Sequence, residues 1–236
     1  LDARDLISLE RDLIFKRTNR LGLSFDEIQG VLGKRQVLGQ AVCQNEPLEL
    51  SSFEPARIGV VVACRLKSSR LLRKALLPIG SVTSVEKCLQ SCRRISGTTD
   101  VYLATSDLEE DQDLRIPAEA QGAVFCKGDP LDVIGRYLGI ARKEKLDVIV
   151  RVTADMPYVS AEIAELLIRS HFELGADYSG VQDCAVGTAV EVISVRALER
   201  VAAYFGTADY SEYMTWYFRN NPEHFRLNLV DLPADM

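Results

Sequence analysis

The sequence has few of the residues from which proteins build transition-metal sites. Its 236 residues include two histidines and six cysteines, and no two cysteines have the Cys-x-x-Cys spacing. A zinc site made from cysteine and histidine therefore has little to draw on. Cys88 and Cys92 lie four positions apart within a predicted helix, where two buried free thiols are favoured over a metal-binding pair.

The sequence also lacks long apolar runs. The apolar stretch at 58–64 has the length of a strand, whereas a membrane-spanning helix needs about 20 residues. The pattern therefore excludes a membrane-spanning segment. Cysteines scattered through apolar strands, with no recognisable signal peptide, predict a reducing, cytoplasmic environment.

An excess of positive charge is missing as well. The chain has 28 Lys and Arg against 34 Asp and Glu, which gives a net charge of −6. General nucleic-acid binding is disfavoured, and any anion site must be a local cluster of cations. Hydrophobic residues make up 47% of the chain, which is ample for a folded protein of one or two domains.

Two regions of the chain differ in their patterns. Residues 1–54 consist of short, turn-rich segments, and one short helix is predicted at 26–32. The stretch 51–55 is interpreted as a linker, because Pro55 disfavours continued regular structure. We therefore expect a small, mostly-β N-terminal module at 1–54 and a larger domain at 55–236.

Strand and helix patterns alternate from residue 57 onward. The predicted strands are 58–64, 101–104, 123–126, 148–152, 177–180, 190–194 and 225–230. The predicted helices are 82–95, 108–121, 129–145, 160–174, 195–204 and 210–220. This order predicts an α/β fold of three layers, with a mostly parallel sheet between helices. Ligands bind such sheets beyond the carboxyl ends of the strands.

A basic segment follows the first strand of the larger domain. Residues 65–74 contain five cations and no carboxylate, with Ser68 and Ser69 in the middle. Arginine forks, an ammonium group and hydroxyl donors suit a polyphosphate. The alternative is a solvated basic loop. The segment has neither the P-loop pattern nor the G-x-G-x-x-G pattern.

A carboxylate follows the fourth strand. Asp155 lies just beyond the predicted strand 148–152, in the segment Arg151-Val152-Thr153-Ala154-Asp155-Met156-Pro157. Mg²⁺ binds proteins through one or two carboxylates together with substrate phosphates, so Asp155 is a candidate ligand. The alternative is an Asp that turns the chain before Pro157.

Four ordered motifs within 57–230 resemble those of the cytidylyltransferases related to the spore-coat polysaccharide enzyme and to the acylneuraminate and ketodeoxyoctonate enzymes. The family's opening motif, A-R-x-x-S-x-R-L-P-G-K, corresponds to residues 64–74. The remaining motifs, A-T-S, G-x-x-x-D-V-x-x-R and R-x-T-x-D-x-P, are matched by Ala104, Thr105 and Ser106, by Gly128, Asp132, Val133 and Arg136, and by Arg151, Thr153, Asp155 and Pro157.

Two departures from the family pattern affect regions near the expected site. Leu72 and Arg73 stand where the family has Pro-Gly, so the loop before Lys74 is expected to lie differently. The late motif R-E-H-x-T appears as Ser211-Glu212-Tyr213-Met214-Thr215, without its Arg and His. Either change is expected to alter the sugar preference or to reduce activity.

The N-terminal region resembles the later part of the antifreeze-like (SAF) module that ends sialic-acid-type synthases. The matching segments are Lys16-Arg17-Thr18, Gly22-Leu23-Ser24, Gly33-Lys34 and Glu46-Pro47-Leu48. This resemblance implies a synthase–cytidylyltransferase fusion, with a synthase barrel upstream of Leu1. It implies no synthase activity for these residues themselves.

The cytidylyltransferase resemblance implies a Rossmann-like nucleotide-diphospho-sugar transferase fold. It also implies transfer of CMP from CTP to a sugar acid of the nonulosonic type in polysaccharide biosynthesis, with Mg²⁺ as cofactor and a homodimer as the assembly. The residues that we assign on this basis are Arg65, Arg70 and Lys74 as catalytic groups, Ser68, Ser69, Thr105, Ser106, Asp132, Arg136 and Arg151 as substrate-binding groups, and Asp155 and Glu191 as metal ligands, with Glu212 as the second choice after Glu191.

Several other residues are expected to have structural roles. Asp129 is predicted to be the N-cap of the helix at 129–145, with Pro130 in its first position. Asp132 either interacts with the dipole of that helix or shapes the substrate pocket. His171 is expected on the surface of a helix without a function. A late aromatic group is expected to form a packing or dimer surface, and it consists of Tyr210, Tyr213, Trp216 and Tyr217.

Two rival functions remain open from the sequence. One is a nucleotidyltransferase that uses UTP or dTTP. The other is a degenerate, non-catalytic module that regulates or assembles a synthase. The departures from the family pattern at Leu72 and Arg73 and in the late motif favour this second alternative. Pyrophosphate release measured with each nucleotide separates these rivals from a cytidylyltransferase.

Overall fold

The computed structural model describes residues 1–17, 19–67, 71–206 and 214–233. In this part of the chain, no helix is long and apolar enough to cross a membrane. Some residues considered above lie outside the described residues, and these are Thr18, Ser68, Ser69, Arg70, Tyr210, Ser211, Glu212 and Tyr213.

The described chain contains eleven strands and eight α-helices. The strands are β1 Gln36–Leu38, β2 Phe53–Pro55, β3 Ile58–Ala63, β4 Pro78–Ile79, β5 Val82–Thr83, β6 Val101–Ser106, β7 Val124–Gly128, β8 Val148–Thr153, β9 Tyr178–Val181, β10 Glu191–Ser194 and β11 Leu227–Val230. The helices are α1 Leu9–Asp12, α2 Phe25–Leu32, α3 Ser84–Cys92, α4 Arg115–Ala120, α5 Val133–Glu144, α6 Ala161–Leu174, α7 Val195–Phe205 and α8 Met214–Arg219. Three 3₁₀ helices are Leu50–Ser52, Lys74–Leu76 and Glu109–Leu114.

Seven strands form one central sheet in the order β11-β9-β10-β8-β3-β6-β7. Strand β10 runs antiparallel to β8 and β9, and the other neighbouring pairs are parallel. The predicted α/β fold with a mostly parallel sheet is therefore confirmed. After β3 the chain adds β6 and β7 on one side of β3, and it then returns to add β8 on the other side. The strand order therefore reverses between β3 and β8, and α/β sheets bind ligands at such a switch point.

Side chains alternate between two cores along β3, because successive residues of a strand point to opposite faces. Val60 and Val62 pack in the core under α3 and α6, whereas Val61 packs in the core under α5, α7 and α8. All three valines are fully buried. Burial on both faces explains the unbroken apolar run that predicted this strand.

The predicted helix at 108–121 is divided in two. A 3₁₀ helix, Glu109–Leu114, precedes α4, and Pro117 lies in the first turn of α4. A proline is tolerated there because the first-turn N–H groups have no partner within the helix.

The helix predicted at 129–145 begins later than expected, and the prediction that Asp129 is its N-cap is wrong. Asp132 is the N-cap of α5, and its Oδ1 accepts a hydrogen bond of 2.7 Å from Gly135 N. Asp129 Oδ1 instead accepts from the backbone N–H groups of Leu131 and Asp132, at 2.7 and 3.0 Å. Asp129 thus closes a turn before the helix.

The expectation for His171 is also wrong, because this residue is fully buried. Its Nδ1 lies 2.8 Å from Ser179 Oγ and its Nε2 lies 3.1 Å from Ser194 Oγ. Ser194 Oγ donates to Ala176 O, so it accepts the proton of Nε2. Asn228 donates to Ser179 Oγ, which leaves the Ser179 hydroxyl free to donate to Nδ1. The neutral ring is fully hydrogen-bonded.

The N-terminal module packs directly on the central sheet. Leu6 and Val37 are part of the core beside α3 and α6. The guanidinium of Arg4 donates two hydrogen bonds of 2.8 and 2.5 Å to Asp147, the residue just before β8. Asp147 also accepts from Arg57 N at 2.7 Å, so it joins the module to the start of the larger domain.

The interpretation of 51–55 as a linker is wrong. The 3₁₀ helix Leu50–Ser52 leads into β2, which pairs antiparallel with β1. Pro55 is opposite Gln36 at the end of this ladder, where a residue without an N–H is tolerated. The described module contains an eight-residue helix, α2, and two three-residue strands, so the expectation of a mostly-β module is not met.

Candidate active site

The carboxyl ends of the six parallel strands and the start of β10 lie at one edge of the central sheet. Ala63, at the end of β3, is in register with Thr153 at the end of β8 and with Ala104 in β6. Glu191 begins β10 opposite Arg151. The register therefore places the loops after β3 and β8 side by side.

The basic segment and the carboxylate after β8 are in direct contact. Lys74 Nζ lies 3.0 Å from Asp155 Oδ2, and both side chains are about half exposed. Partial burial opposes ionisation of Asp155, but hydrogen bonds from the Thr153 side chain and from Lys74 outweigh it and lower the pKa of Asp155. The result is a charged, solvent-facing pair at the switch point of the sheet.

The loop between β3 and Lys74 is closed by a backbone hydrogen bond. Arg73 N donates to Leu66 O at 3.2 Å. Arg73 has φ +52° and ψ +31°, in the left-handed region, and it stands where the family motif has glycine. Its guanidinium contacts Asp113 at 2.6 Å. Arg73 therefore has a left-handed backbone conformation of the kind that glycine favours, and its charge is paired with Asp113 of the 3₁₀ helix Glu109–Leu114.

Asp111 is a residue that the sequence analysis missed. It is 1% exposed, its Oδ1 accepts a hydrogen bond of 2.7 Å from Leu66 N, and its Oδ2 accepts from Ser106 Oγ. Ser106, predicted to bind substrate, is therefore bonded to Asp111 within the fold. In the sequence Asp111 is one of four carboxylates at 109–113, and no local pattern distinguishes it from the other three.

A second polar cluster lies on the other side of β8. Arg151 forms an ion pair with Glu191, and Tyr178 OH donates to Glu191 at 2.6 Å. Burial, followed by the charge of Glu191, raises the pKa of Tyr178. Both carboxylate oxygens of Glu191 are therefore engaged in contacts within the fold.

Four buried polar atoms in the described residues lack a well-formed hydrogen bond. They are Thr105 Oγ1, Arg136 Nε, Tyr137 OH and Arg151 Nε. An unpaired buried polar group costs about 1–3 kcal/mol and calls for an explanation. Three of the four residues are predicted substrate-binding groups.

Arg136 lies close to Arg65 at the loops after β7 and β3. Arg136 Nη1 donates to Asp129 O at 2.5 Å, and Arg65 Nη1 donates to Pro130 O at 3.2 Å. Burial, followed by the charge of Arg65, lowers the pKa of Arg136. Two adjacent cations at the edge of the sheet favour an anion beside them. Asp132, by contrast, is occupied as the N-cap of α5.

The described residues contain no group of three or more His, Cys, Asp or Glu side chains that could hold a metal ion by themselves. Asp155 is nevertheless of the type that Mg²⁺ uses, because that ion takes one or two carboxylates and completes its shell with phosphates and water. Both carboxylate oxygens of Glu191 already contact protein groups, Arg151 and Tyr178. The assignment of Glu191 as the second metal ligand therefore stays a prediction.

Comparisons with known proteins identify the family of the sequence. The family model described as "Cytidylyltransferase" matches residues 59–234. The spore coat polysaccharide biosynthesis protein SpsF of Bacillus subtilis is 30% identical over 178 residues, which cover 73% of this chain and 74% of that protein.

Two solved structures share the fold. A cytidylyltransferase from Leptospira borgpetersenii superposes with a TM-score of 0.70 at 24% identity, covering 76% of this chain and 77% of that chain. A CMP:2-keto-3-deoxy-manno-octonic acid synthetase complexed with CTP gives a TM-score of 0.61 at 13% identity, covering 76% of this chain and 91% of that chain.

Proposed function

The chain belongs to the cytidylyltransferase family, and from this premise we propose that it transfers CMP from CTP to a sugar acid of the nonulosonic type, with release of pyrophosphate. As a family member it is a nucleotidyltransferase. The observation that carries the proposal is the contact between Lys74 and Asp155 at the β3–β8 switch point. It gives a triphosphate a cation and gives its metal ion a carboxylate at one place.

The chemistry requires neutralisation of growing negative charge. A hydroxyl oxygen of the acceptor forms a bond to the α-phosphorus of CTP, the bond from that phosphorus to the bridging oxygen breaks, and pyrophosphate leaves with the electron pair. The hydroxyl proton passes to solvent or to a carboxylate nearby. Positioned cations stabilise the leaving group, and this electrostatic effect is commonly the largest contribution to such catalysis.

Three cations of the basic segment neutralise the charge of the triphosphate at different positions. Arg65 and Arg70 bind the polyphosphate, and Lys74 binds the α-phosphate or the bridging oxygen. Ser68 and Ser69 supply further donors. Support for these roles comes from the position of Arg65 and Lys74 at the carboxyl edge, where Arg65 reaches Pro130 and Lys74 reaches Asp155.

Asp155 would hold Mg²⁺, with Glu191 as the candidate second ligand. When bound, the ion supplies Lewis-acid stabilisation of phosphate oxygens. Because Glu191 is bonded to Arg151 and Tyr178, it would have to exchange one of these partners to reach an ion.

The remaining assignments concern the substrate pocket. Arg136, Arg151 and Thr105 each carry a buried polar atom without a well-formed hydrogen bond, which fits groups that complete their bonding with a ligand. The proximity of Arg136 to Arg65 fits the phosphates or the acceptor carboxylate. Ser106 and Asp132 remain in the proposal as residues that shape the pocket from within the fold.

We also propose a cellular compartment, an oligomeric state and a pathway for this protein. Free cysteines throughout the chain support a reducing, cytoplasmic compartment. A homodimer formed through the late aromatic group is supported by Trp216, which is 61% exposed. The role in surface polysaccharide biosynthesis rests on the similarity to SpsF.

The direct test is pyrophosphate release from CTP, UTP and dTTP with a panel of nonulosonic acids, followed by mass spectrometry of the product. We expect release with CTP alone and a CMP–sugar acid as product. Release with UTP or dTTP alone would assign a different nucleotide. Absence of nucleotide binding by calorimetry, in a protein with a cooperative melting transition, would refute catalysis and favour a regulatory module.

A further inference from the structure

Two carboxylates of the 3₁₀ helix Glu109–Leu114 contact the ends of the loop formed by the basic segment 65–74. Asp111 accepts a hydrogen bond of 2.7 Å from Leu66 N, and Asp113 contacts the guanidinium of Arg73 at 2.6 Å. We call Asp111 and Asp113 the acidic brace. A hydrogen bond from Arg73 N to Leu66 O joins these two residues and closes the loop. The acidic brace therefore contacts the residue on each side of this closing bond.

The brace connects the loop to the rigid part of the sheet. Asp111 is buried and also accepts from Ser106 Oγ, at the end of β6. The Leu66 side chain is buried in the core beside α3, whereas its neighbour Arg65 is exposed. The direction of Arg65 on one side of the closure, and of Lys74 on the other, therefore depends on where Leu66 and Arg73 are held.

We propose that the acidic brace is a positioning element for nucleotide transfer, in which Asp111 fixes Leu66 and Asp113 fixes Arg73 so that Arg65 and Lys74 face the triphosphate beside Asp155. The inference rests on the proposed function. Neither carboxylate touches the reacting atoms. A preorganised cation stabilises the transition state only when it is already in place, and misplacement by about 1 Å can cost two orders of magnitude in rate.

A purely structural role would have a different signature. Loss of a buried carboxylate that only supports folding lowers the melting temperature and the active fraction, without changing the KM of one substrate selectively. Loss of a positioning carboxylate raises the KM for CTP and lowers kcat, while the KM for the acceptor sugar stays the same. The two roles are therefore separable by kinetics.

The test compares Asp111→Ala, Asp111→Asn and a matched control, Asp177→Asn. The asparagine at 111 keeps an oxygen for Leu66 N, whereas alanine removes it. Asp177 is also buried, at 3% exposed, and also accepts from a backbone N–H, that of Arg226 at 2.8 Å, but it lies before β9 at the opposite edge of the sheet.

For Asp111→Ala we expect the KM for CTP to rise and kcat to fall by about tenfold each, with the acceptor KM within about twofold. Asp111→Asn should restore the KM for CTP to within about threefold of the parent. Asp177→Asn should lower the melting temperature and leave both KM values unchanged. An Asp111→Ala protein with an unchanged KM for CTP would overturn the proposal.

A second readout needs no catalysis. Residues 65–74 contain five sites for trypsin, so limited proteolysis followed by mass spectrometry reports how firmly the loop is held. We expect cleavage within 65–74 to be several-fold faster in Asp111→Ala and in Asp113→Ala than in the parent or in Asp177→Asn. Equal cleavage rates in all four proteins would overturn the proposal.

These two readouts keep the inference separate from the proposed function. If the parent transfers no nucleotide at all, the proposed function fails, and the proteolysis still decides whether the brace holds the loop. If Asp111→Ala does not fold, Asp113→Ala decides instead, because Asp113 is 56% exposed at its side chain and its loss leaves the core intact.

Discussion

Lys74 Nζ lies 3.0 Å from Asp155 Oδ2, although the two residues are 81 positions apart in the chain and follow different strands. The parallel pairing of β3 with β8 brings them together, because it aligns Ala63 with Thr153 at the same edge of the sheet. The contact joins two motifs that are far apart in the sequence. It is the geometric basis of the proposed nucleotidyl transfer.

The first prediction concerns this pair. We expect Lys74→Ala and Asp155→Ala each to lower kcat/KM for CMP transfer by about 10²–10³, because each removes one preorganised group from the triphosphate or its metal ion. Steady-state pyrophosphate release measures the loss. The control is Glu119→Ala, which breaks the exposed Arg115–Glu119 pair away from the site and should leave the rate unchanged.

Circular dichroism and thermal melting must accompany these rates. Exposed ion pairs contribute little to stability, so both variants should melt close to the parent. A correctly folded Lys74→Ala or Asp155→Ala protein with near-parental transfer would contradict the assignment of the site.

The main elements of this site are predictable from the sequence for a simple reason. Strands buried on both faces appear as apolar runs. The stretch 58–64 is such a run, and 148–152 is apolar except for Arg151. In a parallel α/β sheet the residues after such strands lie at one edge, so the pattern predicts the basic segment and Asp155 at the same edge of the sheet.

Other features depend on choices that local sequence does not settle. Asp129 and Asp132 are both good N-caps, and only the turn closed by Asp129 shifts the helix start to Asp132. Asp111 cannot be distinguished from its acidic neighbours by sequence, because the hydrogen bond that it accepts from Leu66 N depends on the tertiary structure. For His171 a signal was present and was missed, because it lies four residues after Leu167 and eight after Ile163, on the buried face of α6.

The buried His171 predicts a pH dependence of stability. Burial, followed by the charge of Arg226, lowers its pKa to about 3 from an ordinary value near 6.5. Between these values the unfolded state binds one more proton than the folded state. Unfolding free energy must therefore fall as the pH falls below about 6.5, by about 1.4 kcal/mol per pH unit at most.

Urea unfolding at pH 7 and pH 5 tests this dependence. The parent should lose about 2 kcal/mol from this residue over that interval, and His171→Gln should lack this part of the loss. His224→Gln is the matched control, because His224 is exposed and should leave the parental slope unchanged. Equal slopes in the parent and in His171→Gln would contradict the assignment.

The left-handed backbone at Arg73 predicts an inverted order of stability for two substitutions. At an ordinary helical position Ala is more stable than Gly by up to about 1 kcal/mol. At φ +52° a Cβ atom is strained, so Arg73→Gly should be more stable than Arg73→Ala by about 1 kcal/mol. Both variants lose the contact with Asp113, so their difference isolates the backbone.

Chemical denaturation of the two Arg73 variants measures this difference. The same pair of substitutions at Glu119, in α4, serves as the reference and should show Ala as the more stable. Finding Ala more stable than Gly at position 73 as well would show that the strain is absent in solution.

The Arg151–Glu191 pair predicts strongly non-additive stability. Arg151 and Glu191 side chains are only 15% and 22% exposed, and Tyr178 also bonds to Glu191. Glu191→Ala leaves a nearly buried guanidinium unpaired and should cost about 3 kcal/mol or more. The double variant Arg151→Met with Glu191→Leu removes both charges and should recover most of that loss, as measured by urea unfolding.

The same residue tests the second metal ligand through Glu191→Gln, which keeps the side-chain shape and one acceptor oxygen for Tyr178. If Glu191 exchanges a partner to bind Mg²⁺, as proposed, this variant should need at least about tenfold more Mg²⁺ for half-maximal pyrophosphate release. Asp155→Asn is the reference for a metal ligand and should show a comparable shift. In this scheme Glu191 gives up a protein contact when it binds the ion, so a weaker contact with Arg151 would by itself lower the Mg²⁺ requirement rather than raise it. A Glu191→Gln protein with a parental Mg²⁺ requirement would therefore restrict Glu191 to holding Arg151 and leave Asp155 as the carboxylate that meets the ion.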